Sequence, residues 1–238
     1  MHRTRLHRLF LPLLSAALLL VACTGTVDTV RAAAEEKLRQ TLARQFGRQL
    51  SATLDVIVQG LGAAGGFLDN PLVRVLLPPP VGLVIDVARD FHQNPRAALL
   101  ETLMNRAAEQ AIPGAGPILR TMLGDMGRSD MQSLFEAGRT ATTDHLRATA
   151  ASAVHGALLP VISENLAANG AIAIYGELLK AHEWAVLIAD IPATAQAVAA
   201  EDLGEYVTAR AVDGLFRTLG DKELLIREGI ADLAPNEW

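Results

Sequence analysis

Three polar side chains recur at intervals of four residues in an otherwise largely apolar segment, namely Glu101, Asn105 and Glu109. On an α-helix this spacing places all three along one face, and Arg106 then lies within pairing distance of Glu109. Carboxylate and amide oxygens arranged in this way can accept hydrogen bonds from backbone N–H groups or pair with an arginine. This polar row is the most interesting candidate for chemistry in the chain.

Two interpretations of the polar row stay open. In the first, it is a solvated helix face opposite apolar residues such as Leu99. In the second, it packs against the proline-rich segment 67–80, where Glu109 or Asn105 satisfies backbone N–H groups or Arg74. Burying such backbone groups without partners would cost about 1–3 kcal/mol each. A position of Arg74 remote from these groups would contradict the second interpretation.

A glycine inside a predicted helix near the C terminus extends the second interpretation. Glycine costs about 1 kcal/mol relative to alanine in a helix interior, so the pair Asp213-Gly214 indicates that another segment approaches closely there. The candidate structural or binding residues are Asn70, Arg74, Asn105, Arg106, Glu109 and Asp213.

A literal G-x-G-x-x-G motif lies at residues 60–65, after the strand-like LDVIVQ and before Asp86. A dinucleotide site requires this loop to open a helix whose N terminus holds the pyrophosphate. Here the loop is followed by Asn70-Pro71 and Pro78-Pro79-Pro80, which cannot form a helix interior. The motif therefore does not predict a nucleotide site.

The remaining chemistry-bearing residues form no recognisable constellation. Beyond residue 22 no two histidines have the i, i+4 spacing of a helical zinc site, and neither H-E-x-x-H nor G-x-S-x-G occurs. These histidines are His92, His145, His155 and His182. We predict no catalytic residue, no metal site and no cofactor.

Apolar residues recur every three to four positions through most of the chain, and no alternating pattern is long enough for a strand. The sequence predicts an all-α fold: one domain over residues 32–238, with eight or nine helices and a proline-rich extended loop at 67–80. Helices are expected at about 32–60, 81–91, 95–112, 116–126, 129–138, 141–168, 171–189, 201–219 and 221–232.

Local signals predict several helix ends. Asn94-Pro95 begins a helix, Ser129 with Gln132 is typical of a capping box, and Asn169-Gly170 ends a helix in the left-handed conformation. The stripe expected to be buried along the helix at 141–168 consists of Leu146, Ala150, Ala153, Ala157 and Val161.

The N terminus has the pattern of a lipoprotein signal peptide. Three arginines within residues 3–8 precede an apolar run of fourteen residues, 9–22. Such a run spans roughly 21 Å as a helix, less than the ~30 Å hydrocarbon core of a bilayer. It ends in Leu20-Val21-Ala22-Cys23, which resembles a lipobox. We expect removal of residues 1–22, lipidation of Cys23, and a short tether at residues 24–31.

Cys23 is the chain's single cysteine, so it has no intrachain disulfide partner, and acylation accounts for it. Two or more acyl chains anchor a protein stably in a membrane. Thr24 occupies the position at which an aspartate retains lipoproteins at the inner membrane. The outer membrane facing the periplasm is therefore the expected location. The alternative to lipidation is that Cys23 is a free thiol beside an ordinary signal peptide.

The charge balance argues against nucleic acid as a partner. Without the three arginines of residues 1–22, 18 basic residues face 26 acidic ones, a net charge of −8. An acidic domain without a stripe of Lys and Arg repels a phosphate backbone.

Several strings of residues occur in one order along the chain: FLDNPLVRVLLPPP at 67–80, LMNRAAE at 103–109, T-x3-L-R followed by LLPVI at 142–162, and YVTARAVDGLF at 206–216. Together they resemble a Gram-negative family of exported proteins, often lipoproteins, known as domain of unknown function 4197. The resemblance implies a helical fold and the cell envelope, and it implies no activity. The family usually has an acidic pair at the positions of Arg139-Thr140 and aromatic residues at His145, Leu146 and Leu158, so a site using those positions would be altered here.

These observations predict a non-enzymatic envelope lipoprotein, a helical module in the periplasm that binds a partner protein or has a structural role. Its expected partners are the membrane, through the lipid, and an envelope protein. One alternative is a carrier of a lipid or another apolar small molecule, held in a cavity between alanine-rich helices. Another is an enzyme using Glu, Asp and Arg groups around residues 67–80. A dry pocket would favour the carrier, and a packed core with exposed apolar residues would favour the partner-binding module.

Overall fold

The computed structural model describes residues 7–79, 81, 94–189 and 197–231, and within these ranges the regular secondary structure is helical throughout. The α-helices are α1 (His7–Gly62), α2 (Pro95–Ala111), α3 (Ala115–Asp125), α4 (Arg128–Ala137), α5 (Ala141–Ala168), α6 (Ala171–Ala189) and α7 (Leu203–Ala231). Short 3-10 helices at Ile112–Gly114 and Ala200–Asp202 precede α3 and α7. The predicted all-α class is confirmed.

The predicted number of eight or nine helices is not matched in the described part of the chain. The segments 201–219 and 221–232 were expected to be separate, but they belong to the single helix α7 as far as Ala231. Gly220 continues this helix instead of adopting a positive φ that would end it. The helix expected at 81–91 lies outside the described residues except for Val81, as do Asp86 and His92.

Helix α1 begins at His7 and not near residue 32, so residues 24–31 are helical. Their role as a short tether stays a prediction. That stretch contains no proline and a single glycine, Gly25, so nothing in it breaks a helix strongly. Cleavage before Cys23 stays a prediction. Residues Met1–Gln45 and Phe46–Trp238 form two compact units, and the candidate site lies in the second.

Helix α5 has α2, α3 and α7 among the neighbours packed against it in the second unit. Its fully buried apolar side chains are Leu146, Ala150, Val154, Leu158, Ile162 and Leu166. The predicted stripe was right at Leu146 and Ala150, whereas Ala153 and Val161 are exposed. The buried residues follow one another at a constant step of four, which rotates their positions by about 40° around the helix at each step. Different neighbours therefore cover different parts of this long helix.

The helix ends depend on local capping. Asn94 caps α2, since its Oδ1 accepts hydrogen bonds from the backbone N–H groups of Arg96 at 3.1 Å and Ala97 at 3.2 Å. Gly170 follows α5 with a φ of +82°, as predicted. The capping box at Ser129 is wrong: the extended backbone of Gly127 starts α4 at Arg128, which places Ser129 inside the first turn.

Among the described residues, hydropathy and length identify no single helix able to cross a membrane. The pair Ala141–Ala168 and Ala171–Glu183, bent by 73°, meets the same criteria only when the two helices are taken together.

Candidate functional site

The chain leaves α1 through turns at residues 63–69 and 71–73, and is then extended, with neither helix nor strand, over residues 74–78. Of the predicted extended loop at 67–80, residues 74–78 have neither helix nor strand, whereas residues 67–69, 71–73 and 79 lie in turns. An extended segment without a neighbouring strand has no regular partners for its backbone N–H and C=O groups. Side chains of α2 and α7 supply those partners.

The side-chain amide of Asn105 on α2 binds both the N–H and the C=O group of Val75. Its Oδ1 accepts a hydrogen bond from the Val75 N–H at 2.8 Å, and its Nδ2 donates to the Val75 carbonyl at 2.9 Å. The same Nδ2 also donates to the Glu101 carbonyl at 2.8 Å. Asn105 is completely buried, so the amide takes the place that a neighbouring strand would occupy.

Glu109, one turn farther along α2, binds the preceding turn. Its Oε1 accepts hydrogen bonds from the backbone N–H groups of Gly65, Phe67 and Leu68, each at 3.1 Å. Its Oε2 accepts a hydrogen bond from Arg106 Nη1 at 2.7 Å. Glu109 is only 2% exposed, and these four donors replace the water that its carboxylate loses on burial.

Glu101 completes the polar row. It is buried and forms a salt bridge with Arg74, whose side chain is partly exposed. The interpretation of the row as a solvated face is therefore wrong, and Leu99, assigned there to the buried side, is instead 47% exposed. The face is polar because its partners are backbone groups of another segment and two arginines, Arg74 and Arg106, not water.

The remaining residues of the predicted cluster lie differently. Asn70 stabilises its own turn, since its Oδ1 accepts a hydrogen bond from the Leu72 N–H at 3.1 Å. Asp213 on α7 is exposed and pairs with Arg147 of α5 at 2.9 Å. Its neighbour Gly214 makes the close approach instead. A Cβ at Gly214 would lie 3.1 Å from both the Phe67 ring and the Val73 Cβ.

Helix α7 also supplies hydrogen bonds that the sequence analysis missed. The Tyr206 hydroxyl donates to the Leu76 carbonyl at 3.2 Å, and Arg217 Nη1 donates to the Leu72 carbonyl at 3.4 Å. The one available signal was the position of Tyr206 within the string 206–216 that carries the family resemblance.

Burial raises the pKa of both tyrosines. The pKa of Tyr175 rises to about 12, mainly through burial and secondarily through the neighbouring Tyr206. Burial also raises the pKa of Tyr206, against the opposing effect of the Arg210 guanidinium. Both hydroxyls therefore remain protonated donors at neutral pH, and that of Tyr175 binds the Val198 carbonyl at 2.9 Å.

A second buried carboxylate, Glu223 on α7, was also missed. It accepts hydrogen bonds from the N–H groups of Thr142 at 3.1 Å and Thr143 at 2.7 Å, and from the Thr143 hydroxyl at 2.6 Å. These are orphan donors at the N terminus of α5, which Glu223 therefore caps from a distant part of the chain. From the sequence, a glutamate within a helix is indistinguishable from a surface charge.

Arg227 pairs with Glu223 at 2.7 Å and fixes α4. Its guanidinium donates to the carbonyls of Leu134 at 3.0 Å and Phe135 at 2.6 Å. It also lies 4.4 Å from the ring centre of Phe46 and 5.4 Å from that of Phe135. No residue of α4 is fully buried, so this arginine is a main attachment of that helix.

An open groove of about 370 Å³ lies between the start of α5 and the middle of α7. Arg147 lies over the Phe216 ring in this groove, 5.1 Å from its centre. The groove is lined by Thr140, Thr143, Asp144, Arg147, Asp213, Phe216, Arg217, Gly220 and Asp221. It is open to the surface, and five of its nine lining residues are charged.

Over the described part of the chain, no three or more His, Cys, Asp or Glu side chains are grouped so that they could hold a metal ion. His155 Nε2 lies 2.9 Å from a carboxylate oxygen of Glu205.

The fold and the site together define a class: an α-helical domain in which buried Asn and Glu side chains fix a proline-rich extended segment. Residues 36–234 match the family model described as "Protein of unknown function (DUF4197)", so the chain belongs to that family. The resemblance drawn from the strings at 67–80, 103–109, 142–162 and 206–216 is confirmed. No curated protein and no solved structure matches the chain.

Proposed function

We propose that this protein is a lipid-anchored, non-enzymatic module of the cell envelope that binds a partner protein through the segment 70–78. The observation that carries the proposal is that this segment presents two large apolar side chains to solvent. Leu72 is 59% exposed and Leu76 is 58% exposed. Exposed apolar side chains on a preorganised segment lose little conformational freedom when a partner covers them.

The backbone of this segment is fixed from two sides. Asn105 of α2 binds Val75, and Tyr206 of α7 binds the carbonyl of Leu76 itself. The side chains of Val75 and Leu77 are buried, so Leu76 cannot turn inward without pulling them out of the core. The exposure of Leu76 is thus a consequence of the fold and not of local freedom.

The polar groups near the segment support a binding role over catalysis. Glu109 and Asn105 are buried and hydrogen bonded to backbone groups, and Glu101 is buried and pairs with Arg74.

Attachment to the envelope is proposed from the lipobox pattern at residues 20–23, with acyl chains on Cys23 as the anchor. Thr24 instead of aspartate favours the outer membrane, with the domain facing the periplasm.

Native mass spectrometry of the protein extracted from membranes tests the partner surface. We expect the wild type to carry a bound protein, and the double variant Leu72→Ser, Leu76→Ser to lose it. The matched control is Val56→Ser on α1, a position of similar exposure at 66%, which should retain the partner. Substitutions at exposed positions change stability by roughly 0.5 kcal/mol or less, so folding is preserved.

Three results would contradict the proposed partner surface. A bound lipid of defined mass in place of a protein would support the carrier. Equal retention of the partner by the double variant would place the binding surface elsewhere, and a wild type that carries neither protein nor lipid would remove the basis for a partner.

A further inference from the structure

We infer that the turn Gly65–Leu68 is a carboxylate-binding site that the chain fills with its own Glu109, and that it accepts a free monocarboxylate when this side chain is shortened. The inference does not depend on the proposed function. Its ligand class is a small, singly charged carboxylate.

The donors of the turn converge on one point. The N–H groups of Gly65, Phe67 and Leu68 all lie 3.1 Å from the same oxygen, Glu109 Oε1. Successive backbone N–H groups that point into one concavity form an anion-binding nest. In an ordinary turn each of these N–H groups would be satisfied by an acceptor of its own. Here all three share a single oxygen.

Glycines make this geometry possible. Gly65 has a φ of +88°, a conformation that side-chain-bearing residues rarely adopt. A Cβ at Gly66 would clash with the carbonyl oxygens of Gly60 and Leu61, so the backbone can fold back this tightly only without a side chain. The glycine run that imitates a dinucleotide motif therefore does bring the backbone close to an anion, but the anion is a carboxylate from the same chain.

The second carboxylate oxygen defines the rest of the site. Oε2 accepts a hydrogen bond from Arg106 at 2.7 Å, so both oxygens have donors and the charge has a cationic partner. Glu109 is 2% exposed, which makes the site closely fitted to a planar group. Tetrahedral phosphate is bulkier and fits this arrangement poorly.

The substitution Glu109→Ala removes a CH₂–COO⁻ fragment, which corresponds to acetate less one hydrogen. Acetate therefore matches the vacated space in both size and charge. The turn keeps its donors in this variant, because their positions depend on the glycines and on the burial of Phe67.

The test is a titration of Glu109→Ala with acetate, alongside neutral acetamide and chloride at equal ionic strength. We expect a saturable rise in Tm of roughly 5 °C with acetate alone, since charge-assisted hydrogen bonds are restored. The amide resonances of Gly65, Phe67 and Leu68 should shift along the same saturation curve.

Two control variants separate the site from general stabilisation by salt. Glu109→Gln retains a side chain that fills the space, and Leu100→Ala removes a buried apolar side chain from the same helix. Neither should respond to acetate more than to acetamide.

Equal effects of acetate and acetamide, or acetate shifts confined to other amides, would overturn the inference. If Glu109→Ala is unfolded in buffer, acetate should restore its helical circular dichroism in a saturable way. Failure to restore it at any acetate concentration would overturn the inference as well.

Discussion

The amide of Asn105 and the backbone of Val75 exchange two hydrogen bonds of opposite direction, at 2.8 and 2.9 Å. Glu109 and Glu223 similarly bind sets of N–H groups that lack helical partners. At the scale of single residues, the buried polar side chains of this protein act chiefly as partners for the backbone. A buried backbone group without a partner costs about 1–3 kcal/mol. Each of these side chains therefore also stabilises the backbone segment that it binds.

The substitution Asn105→Asp tests this role with almost no change of shape. A carboxylate still accepts from the Val75 N–H but cannot donate to the carbonyls of Val75 and Glu101, and it places a negative charge against both. We expect the free energy of unfolding to fall by about 2–4 kcal/mol in urea denaturation. The matched control is Asn165→Asp, because Asn165 also donates to a carbonyl, that of Val161 at 2.9 Å, but is only partly buried. Similar losses in both variants would contradict the role assigned to Asn105.

At the scale of elements, α7 and the turns that precede the extended segment approach each other at Gly214. The Phe67 ring and Val73 are buried against Gly214, leaving no room for a methyl group without displacement of a few tenths of an ångström. Gly156 of α5, by contrast, is exposed, and a Cβ there would meet nothing within 4 Å. The two positions separate the effect of packing from the effect of helix propensity.

Replacing each glycine by alanine should change stability in opposite directions. Gly156→Ala should raise the free energy of unfolding by about 0.5–1 kcal/mol, because alanine restricts the unfolded chain and favours the helix. Gly214→Ala should lower it by about 1 kcal/mol, because overpacking against buried side chains exceeds the same gain. Thermal and urea unfolding of both variants measure the difference. A Gly214→Ala protein as stable as Gly156→Ala would show that the contact of α7 with Phe67 and Val73 is loose.

Helices were predictable as elements, but some of their ends were not. The three-to-four periodicity indicates helix wherever one face is buried, which explains why the all-α class was confirmed. The end of a helix depends on a few backbone angles, as at Gly127, whose extended conformation starts α4 before the expected capping box. The continuity of α7 through Gly220 likewise depends on packing, because glycine is compatible with both a helix and its termination.

At the scale of the whole molecule, the chain is an all-α member of the family of unknown function, with Cys23 proposed as its membrane anchor. Metabolic labelling with palmitate tests the anchor. We expect the wild type to incorporate label, Cys23→Ala to lose it, and the control Thr24→Ala to keep it, because acylation requires the thiol of residue 23. Equal labelling of wild type and Cys23→Ala would contradict lipidation at this position.

The sequence by itself determined the all-α class, the break in helix at the proline-rich segment and the alignment of Glu101, Asn105 and Glu109 on one helix face. These features follow from interactions within one or two helical turns and from the missing N–H group of proline. Only the tertiary structure decided which atoms meet. The backbone partners of Glu109 lie 41 to 44 residues away, and the residue bound by Tyr206 lies 130 residues away. Contacts over such separations depend on how helices pack against one another, which periodicity along a single helix does not specify.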